Sequence, residues 1–291
     1  FDASFLDGAL NVVFDWYQRT TDDLLFAPAI PDAAGEAAPP IVNIGEMENT
    51  GFDFSIGYRW NIGEVGLSVD LNGTHYRNEI VRIDGEQDFF FQGVGGRFGQ
   101  LRINELGQTI GAFFGLEADG YFQNEQEVQA HATQDGAAPG RIRFKDTNGD
   151  WIINADDLTI IGSYHPDFTG GINIAANWNN FDFNMFLFGS FGNDIFDLTK
   201  EFRVFRLFST NVNADRLTDS WTPDNPDALY PQLDQNDQFS SAYSSFFIED
   251  GSYIRAKTIT PWVACLGVGA SRRSDGQHAR KTRACGQSRS S

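Results

Sequence analysis

The chain has 291 residues and a formal net charge of -19, from 21 Lys and Arg against 40 Asp and Glu. It is 41% hydrophobic and 14% aromatic, with 27 Phe and only 2 Cys. Such acidity argues against a nucleic-acid partner, because a phosphate backbone is bound by Lys and Arg that displace its counterions.

Charge and cysteine are unevenly placed. Both cysteines, Cys265 and Cys285, fall in residues 261–291, so residues 1–260 can hold no disulfide and no Cys-based metal or redox site. That final stretch carries Arg272, Arg273, Arg280, Lys281, Arg283 and Arg289 against Asp275 alone, a net of +5. Residues 1–260 have 15 basic and 39 acidic residues, a net of -24, together with every Phe and Tyr. The composition therefore changes at one seam near Thr260. No run of about 18 apolar residues is present to form a transmembrane helix, but a transmembrane strand is shorter and only half apolar. Neither a basic n-region nor an apolar h-region opens the chain, and Phe1 in place of a start Met points to a fragment.

In chain order, the dominant period is two. Leu10, Val12, Phe14 and Trp16 alternate with Asn11, Val13, Asp15 and Tyr17. After a polar connection from Asp32 to Pro40, the residues Phe52, Phe54, Ile56, Tyr58 and Trp60 alternate with Asp53, Ser55, Gly57, Arg59 and Asn61. A short link, Asn61 to Glu64, leads to Leu67, Val69 and Leu71 against Ser68, Asp70, Asn72 and Thr74. Gly93–Gly99 matches no phosphate-cradling pattern and reads as a turn. Beyond the polar stretch from Gln123 to Gly140, Ile172, Ile174, Ala176 and Trp178 alternate with Asn173, Ala175, Asn177 and Asn179. The run from Phe181 to Phe191 is less clean, since Phe186 and Phe188 share a face with Asp182 and Asn184. A further polar connection follows from Asp219 to Ser241.

Side chains alternate sides along a strand, so each run predicts a strand with one apolar and one polar face. Short Gly- or Asn-containing links alternate with long polar ones, as in an antiparallel meander with long loops at one end. No amphipathic helix and no fixed-period repeat is evident. The runs are about 9 to 11 residues, enough for a tilted strand to cross a bilayer. Aromatics gather at their ends: Trp16, Tyr17, Tyr58, Trp60, Trp178 and Phe181. A transmembrane barrel and a soluble β-sandwich both satisfy this pattern.

Six segments in order carry a resemblance. They are Trp16–Leu25, Asn43–Gly51, Phe114–Gln123, Asp146–Asp150 with Ile161-Gly162 and Pro166-Asp167-Phe168, Trp221–Pro226, and Ser252–Lys257. They resemble the C-terminal part of the SusC/RagA family of TonB-linked outer-membrane transporters, in which Asn43–Gly51 corresponds to a turn before a strand. The resemblance implies an all-β fold: a partial transmembrane antiparallel β-barrel, the C-terminal strands of a large TonB-dependent receptor barrel, with long outer loops. It further implies uptake of large nutrients of the glycan or peptide class. Energy would come through TonB and ExbB/ExbD acting on an absent plug, with a SusD-like surface lipoprotein as lid. The chain would sit in the cell outer membrane, in contact with its lipid.

The family continues with further strands after the position of Lys257 and ends on an aromatic residue. Here Pro261-Trp262-Val263-Ala264-Cys265 follows, and the chain ends at Ser291. Residues 1–260 are accordingly expected to form an incomplete receptor barrel of some nine strands with two open edges. Residues 261–291 are expected to be an aberrant basic tail from a frameshift or gene-model error; the alternative is a genuine basic tail.

One local motif points to a cation. Asp146, Asn148, Asp150, Asn154 and Asp157 fall at positions one, three, five, nine and twelve of an EF-hand-like loop, a spacing that can wrap oxygens round calcium. Trp151 at position six, where Gly is usual, counts against it. So does Asp157 at position twelve, one methylene shorter than Glu. The competing reading is an Asx-rich turn that caps backbone amides. No other cofactor is implied. His75, His131 and His165 lack metal-ligand spacing, and no nucleophile motif appears, so no enzyme is expected. Tyr164, Trp221, Tyr230 and Tyr243 lie in or beside loops, where packing is the first expectation and sugar stacking the second. The polar strand residues Asn11, Asp15, Asp53, Arg59, Asp70, Asn72, Asn173 and Asn177 are expected to line a lumen. The alternative function is a secreted soluble β-sandwich that binds carbohydrate with a calcium loop.

Overall fold

The computed structural model describes residues 1–26, 42–43, 45–84, 88–92, 100–205 and 213–263. Gly93–Gly99, the stretch from Asp32 to Pro40, both cysteines and most of the basic tail lie outside the described residues.

The first half of the chain forms β1 (Asp2–Phe5), β2 (Leu10–Thr21), β3 (Leu25–Phe26), β4 (Val42–Asn43), β5 (Gly45–Ile62), β6 (Val65–Ile83), β7 (Phe89–Gln92), β8 (Arg102–Glu105), β9 (Ala112–Gly115), β10 (Ala118–Tyr121), the short helix α1 (Glu125–Ala130) and β11 (Ile142–Phe144). The second half forms β12 (Thr159–Gly162), β13 (Phe168–Trp178), β14 (Phe181–Phe191), β15 (Asp194–Phe196), the one-turn helix α2 (Lys200–Arg203), β16 (Ile248–Asp250) and β17 (Tyr253–Val263). Seven of these strands make one open antiparallel sheet in the order β1-β2-β5-β6-β13-β14-β17, with β1 and β17 at its edges. Order in the sheet follows order in the chain, as in a meander.

The turns Leu6–Ala9, Gly63-Glu64 and Asn179-Asn180 close one end. Gly63 and Asn179 both take positive φ, as tight hairpin turns demand. Three long connections, residues 22–44, 84–167 and 192–252, leave from the other end. Strands β13, β14 and β17 have the expected 11 residues. β5 has 18 and β6 has 19. The excess is the Asn43–Gly51 region: Gly45–Gly51 is strand, not turn, and pairs with Tyr76–Ile83. Its turn-like polar residues find partners across the ladder instead. Asn78 donates to Asn49 at 2.8 Å, and Arg82 pairs with Glu46 at 2.8 Å.

The apolar face of this sheet is open. Ile254 is 70% exposed and Ile259 59%, and no second sheet packs against that face among the described residues. A β-sandwich would bury those residues between two sheets, so the sandwich expectation gives way to a barrel wall. The buried core lies in the long connections. Ile142, Phe144, Val204, Phe205 and Phe247 form a cluster, joined by Leu116, Tyr121, Tyr230 and Tyr243. The two longest connections thereby fold against each other. The small helices α1 and α2 belong to this region, where no helix was expected; α1 is capped by the Asn124 side chain on the Glu127 amide.

Candidate functional site

Register decides which residues share a face, since directly paired residues point the same way. Pairing aligns Val12 with Ile56, Leu71, Ile172 and Leu187 in one row across five strands. The next row is Leu10, Tyr58, Val69, Ile174, Met185 and Ile259. Rows of apolar residues therefore stack into a band on one face. At its turn end, Trp178 stacks on Phe181 with ring centres 6.1 Å apart, and Tyr58 on Trp60 at 5.0 Å. At its loop end, Phe14 meets Phe52 at 5.8 Å, and Phe168 meets Phe54 at 6.3 Å and Phe191 at 6.4 Å. Gly73 makes room for this girdle: a Cβ there would stand 2.6 Å from the Phe54 and Phe168 rings.

On the opposite face the same pairing brings together all eight polar residues expected to line a lumen. Asp15 is opposite Asp53, Asn11 opposite Gly57, and Gly57 opposite Asp70. Asp70 in turn is opposite Asn173, and Arg59 is opposite Ser68. Asn72 and Asn177 follow at even spacing. Phe186 and Phe188 do share this polar face, paired with Asn173 and Gly171.

The oxygens of the Asp146–Asp157 loop point at its own backbone. Asp146 accepts the N–H groups of Gly149 at 2.6 Å and Trp151 at 2.8 Å. Asn148 accepts from the Asp150 amide, Asp150 from Ile152, and Asn154 from Asp156. Asp157, fully buried, accepts from Thr147 at 2.8 Å on one oxygen and from Asn154 at 2.9 Å on the other. Burial alone would raise its pKa, but the amides of Asn154, Thr147 and Asn148 and the Thr147 hydroxyl outweigh burial and hold it below the ordinary carboxylate value. Among the described residues no group of three or more His, Cys, Asp or Glu is placed to hold a metal ion.

The loop aromatics divide. Trp221 is only 4% exposed and donates its indole N–H to Gln123 at 3.0 Å, so it packs rather than presents a face. Tyr243 and Tyr230 also pack on the core, while Tyr164 stays exposed. Two cavities lie in this region. One, of about 450 Å³, is lined by Tyr121, Tyr230, Phe246, Lys200 and Glu249. The other, about 310 Å³ at the junction with the sheet, brings His75 and His165 together with Asp167. Sequence spacing gave no sign of that meeting, because 90 residues separate the two histidines.

A family model described as TonB dependent receptor-like, beta-barrel matches residues 1–105. TonB-dependent receptor P3 of Formosa agariphila is 34% identical over 266 residues, 89% of this chain and 26% of that protein. TonB-dependent receptor SusC of Bacteroides thetaiotaomicron is 26% identical, over 89% of this chain and 24% of that protein. The solved structure of the RagAB peptide transporter matches at a TM-score of 0.70 and 22% identity, covering 89% of this chain and 27% of that one. The chain thus spans about a quarter of the length of the curated relatives it matches. The two-faced meander, with its apolar band on one side and its polar row on the other, belongs to the β-barrel of the TonB-dependent receptor family.

Proposed function

We propose that this chain forms part of the wall and outer loops of an outer-membrane importer of large nutrients, glycans or peptides. The carrying observation is the apolar band with aromatic rings at both ends. From Phe52 to Ile62 on β5 is eleven residues, or ten steps along the strand. At ~3.3 Å per residue and a tilt of ~40° these cover about 25 Å of membrane, the height of a barrel's lipid-facing band. In this reading the apolar face meets outer-membrane lipid and the Asp15–Asn177 set lines the lumen. The three long connections form outer loops. No bond is made or broken by this chain. Work would reach the substrate through TonB, ExbB and ExbD acting on a plug, and a SusD-like lipoprotein would cover the loop end. Lipid-borne carbene labelling of membranes that hold the protein tests the assignment. Label on Ile172 and Leu187 but not on Asn173 supports it, and a monodisperse product without detergent removes it.

Calcium at Asp146, Asn148, Asp150, Asn154 and Asp157 is a second, separate proposal. It is favoured by Trp151, whose φ of 65° gives position six the left-handed turn for which Gly is usual. A carboxylate that accepts one or two amides also keeps lone pairs for a cation. Calorimetry with calcium on the protein and on Asp150→Ala separates the readings. Heat lost in the variant supports the ion. Equal heats, or none in either, leave a turn closed by its own amides.

A further inference from the structure

The apolar band is not smooth. Register sets Phe54, Gly73, Gly170, Gly189 and Ile254 in one row across five strands. The glycines let two rings lie down on the sheet: a Cβ at Gly73 would stand 2.6 Å from the Phe168 ring, and one at Gly189 2.7 Å from the Phe191 ring. Between these rings and Leu71, Ile172, Leu187 and Ile254 runs a groove of about 220 Å³. The 310 Å³ cavity begins one residue nearer the loops. Asp167 and Gly192 line it, and each is the chain neighbour of a groove ring, Phe168 or Phe191. His75 and Arg77 border the cavity from the apolar side of the sheet, since His75 pairs with Phe52, ring centres 5.3 Å apart, and Arg77 is two residues on. The polar groups of the cavity are mixed. His75 Nδ1 is 2.5 Å from the Asp167 carbonyl, so it donates there and leaves Nε2 to accept. The Ser163 hydroxyl accepts the His165 amide at 3.1 Å and keeps its own proton to give. The Gln108 side-chain amide has no partner among the described residues. Arg77 is paired with Glu79 at 3.2 Å and Asp167 adds a further carboxylate, so positive charge is not in excess.

We infer that groove and cavity together seat one glycolipid of the outer leaflet, an acyl chain in the groove and a neutral sugar headgroup in the cavity. The inference rests on the barrel reading proposed above, which puts the groove inside the lipid-facing band and the cavity just past its loop-end aromatic rings. An apolar slot that opens directly into a polar one fits an amphiphile. A polypeptide laid in the groove would carry unpaired amides into hydrocarbon, whereas an acyl chain carries none. Any acyl chain fills the groove equally well, so selection falls to the headgroup. Donors from Arg77, Gln108 and Ser163 and acceptors from His75 and Gln108 converge there, as a ring of hydroxyls requires. The carboxylates of Glu79 and Asp167 leave no excess of cations to attract a phosphate.

The test uses the full-length transporter that contains this chain, reconstituted in phosphatidylcholine vesicles. The vesicles hold a trace of a lipid with a diazirine in its acyl chain and a headgroup of either N-acetylglucosamine or phosphocholine. Labelled residues are read by mass spectrometry. The sugar-headed probe is expected to label Leu187 and Ile254 several-fold more than the phosphocholine probe. Val12, on the same face two strands from the groove, should take both equally. Arg77→Leu combined with Gln108→Ala should bring Leu187 and Ile254 back to parity while Val12 keeps its label, which shows that the variant is still folded in the bilayer. Equal labelling by the two probes overturns the inference, as does a preference that the double variant keeps. Displacement of the probe by an acylated lipoprotein, but not by unlabelled sugar-headed lipid, overturns it too, because the groove would then hold a protein's anchor. No label from either probe on Val12, Leu187 or Ile254 removes the barrel reading itself.

Discussion

In the loop region Phe122 and Phe247 are fully buried, whereas in the sheet Trp178, Ile254 and Ile259 stand mostly open on one face. Both regions are rich in Phe and both come from one chain. They differ in where apolar area goes to leave water. The loops fold on themselves and close a core from residues far apart in sequence. The sheet is one layer thick and depends on what surrounds it. A soluble protein would not keep so large an apolar face in water, whereas lipid satisfies it without a second layer.

Variants can break that contrast. The largest effect is expected from Phe247→Ala, about 3–5 kcal/mol as for other buried Phe truncations. Hydrogen exchange should accelerate at the Leu116 and Ser245 amides, which bond to Tyr243 and Leu116 carbonyls. The β13 amides should keep their protection; if they lose it equally, sheet and loops are one cooperative unit. Next comes Ile172→Arg, near mid-band, at about 2–4 kcal/mol in a barrel refolded into vesicles. Asn173→Arg, one residue on and facing the other way, should change urea stability far less. Equal losses would contradict the assignment of faces.

Trp221→Phe should follow at about 1–3 kcal/mol, because the Gln123 carbonyl loses its buried donor. A thermal shift of the loop region reads this, and no shift would mean that Gln123 is satisfied elsewhere. The smallest effect is hidden at neutral pH. Asp157 has a folded pKa below the ordinary value, so its carboxylate stabilises the loop above about pH 4. That contribution is lost as pH falls through the folded value. Exchange at the Thr147 and Asn154 amides should rise on acidification, and Asp157→Asn should abolish the acid step.

Alternation of side chains is a property of residues two apart, and it was legible without a structure. It placed β2, β5, β6, β13 and β14, their two faces, the turns at Gly63 and Asn179, and the eight polar residues that share one face. The order of six short motifs gave the family. Two features of the sheet needed its neighbours. β5 and β6 run on past the expected length because Asn49 and Glu46 meet Asn78 and Arg82 across the ladder. The aromatic pair that interrupts the polar face of β14 appeared in sequence only as broken alternation at Phe186 and Phe188.

The loops were least legible. Gln123 and Trp221 are 98 residues apart, and no local period encodes their hydrogen bond. Spacing offered calcium or a self-capped turn at Asp146–Asp157, and the fold shows each oxygen already accepting an amide. Sequence alone therefore determined the two-faced strands and their family, because strand geometry is local. Only the tertiary structure decided which loops share a core and which aromatics are buried, because those contacts join segments that the chain keeps far apart.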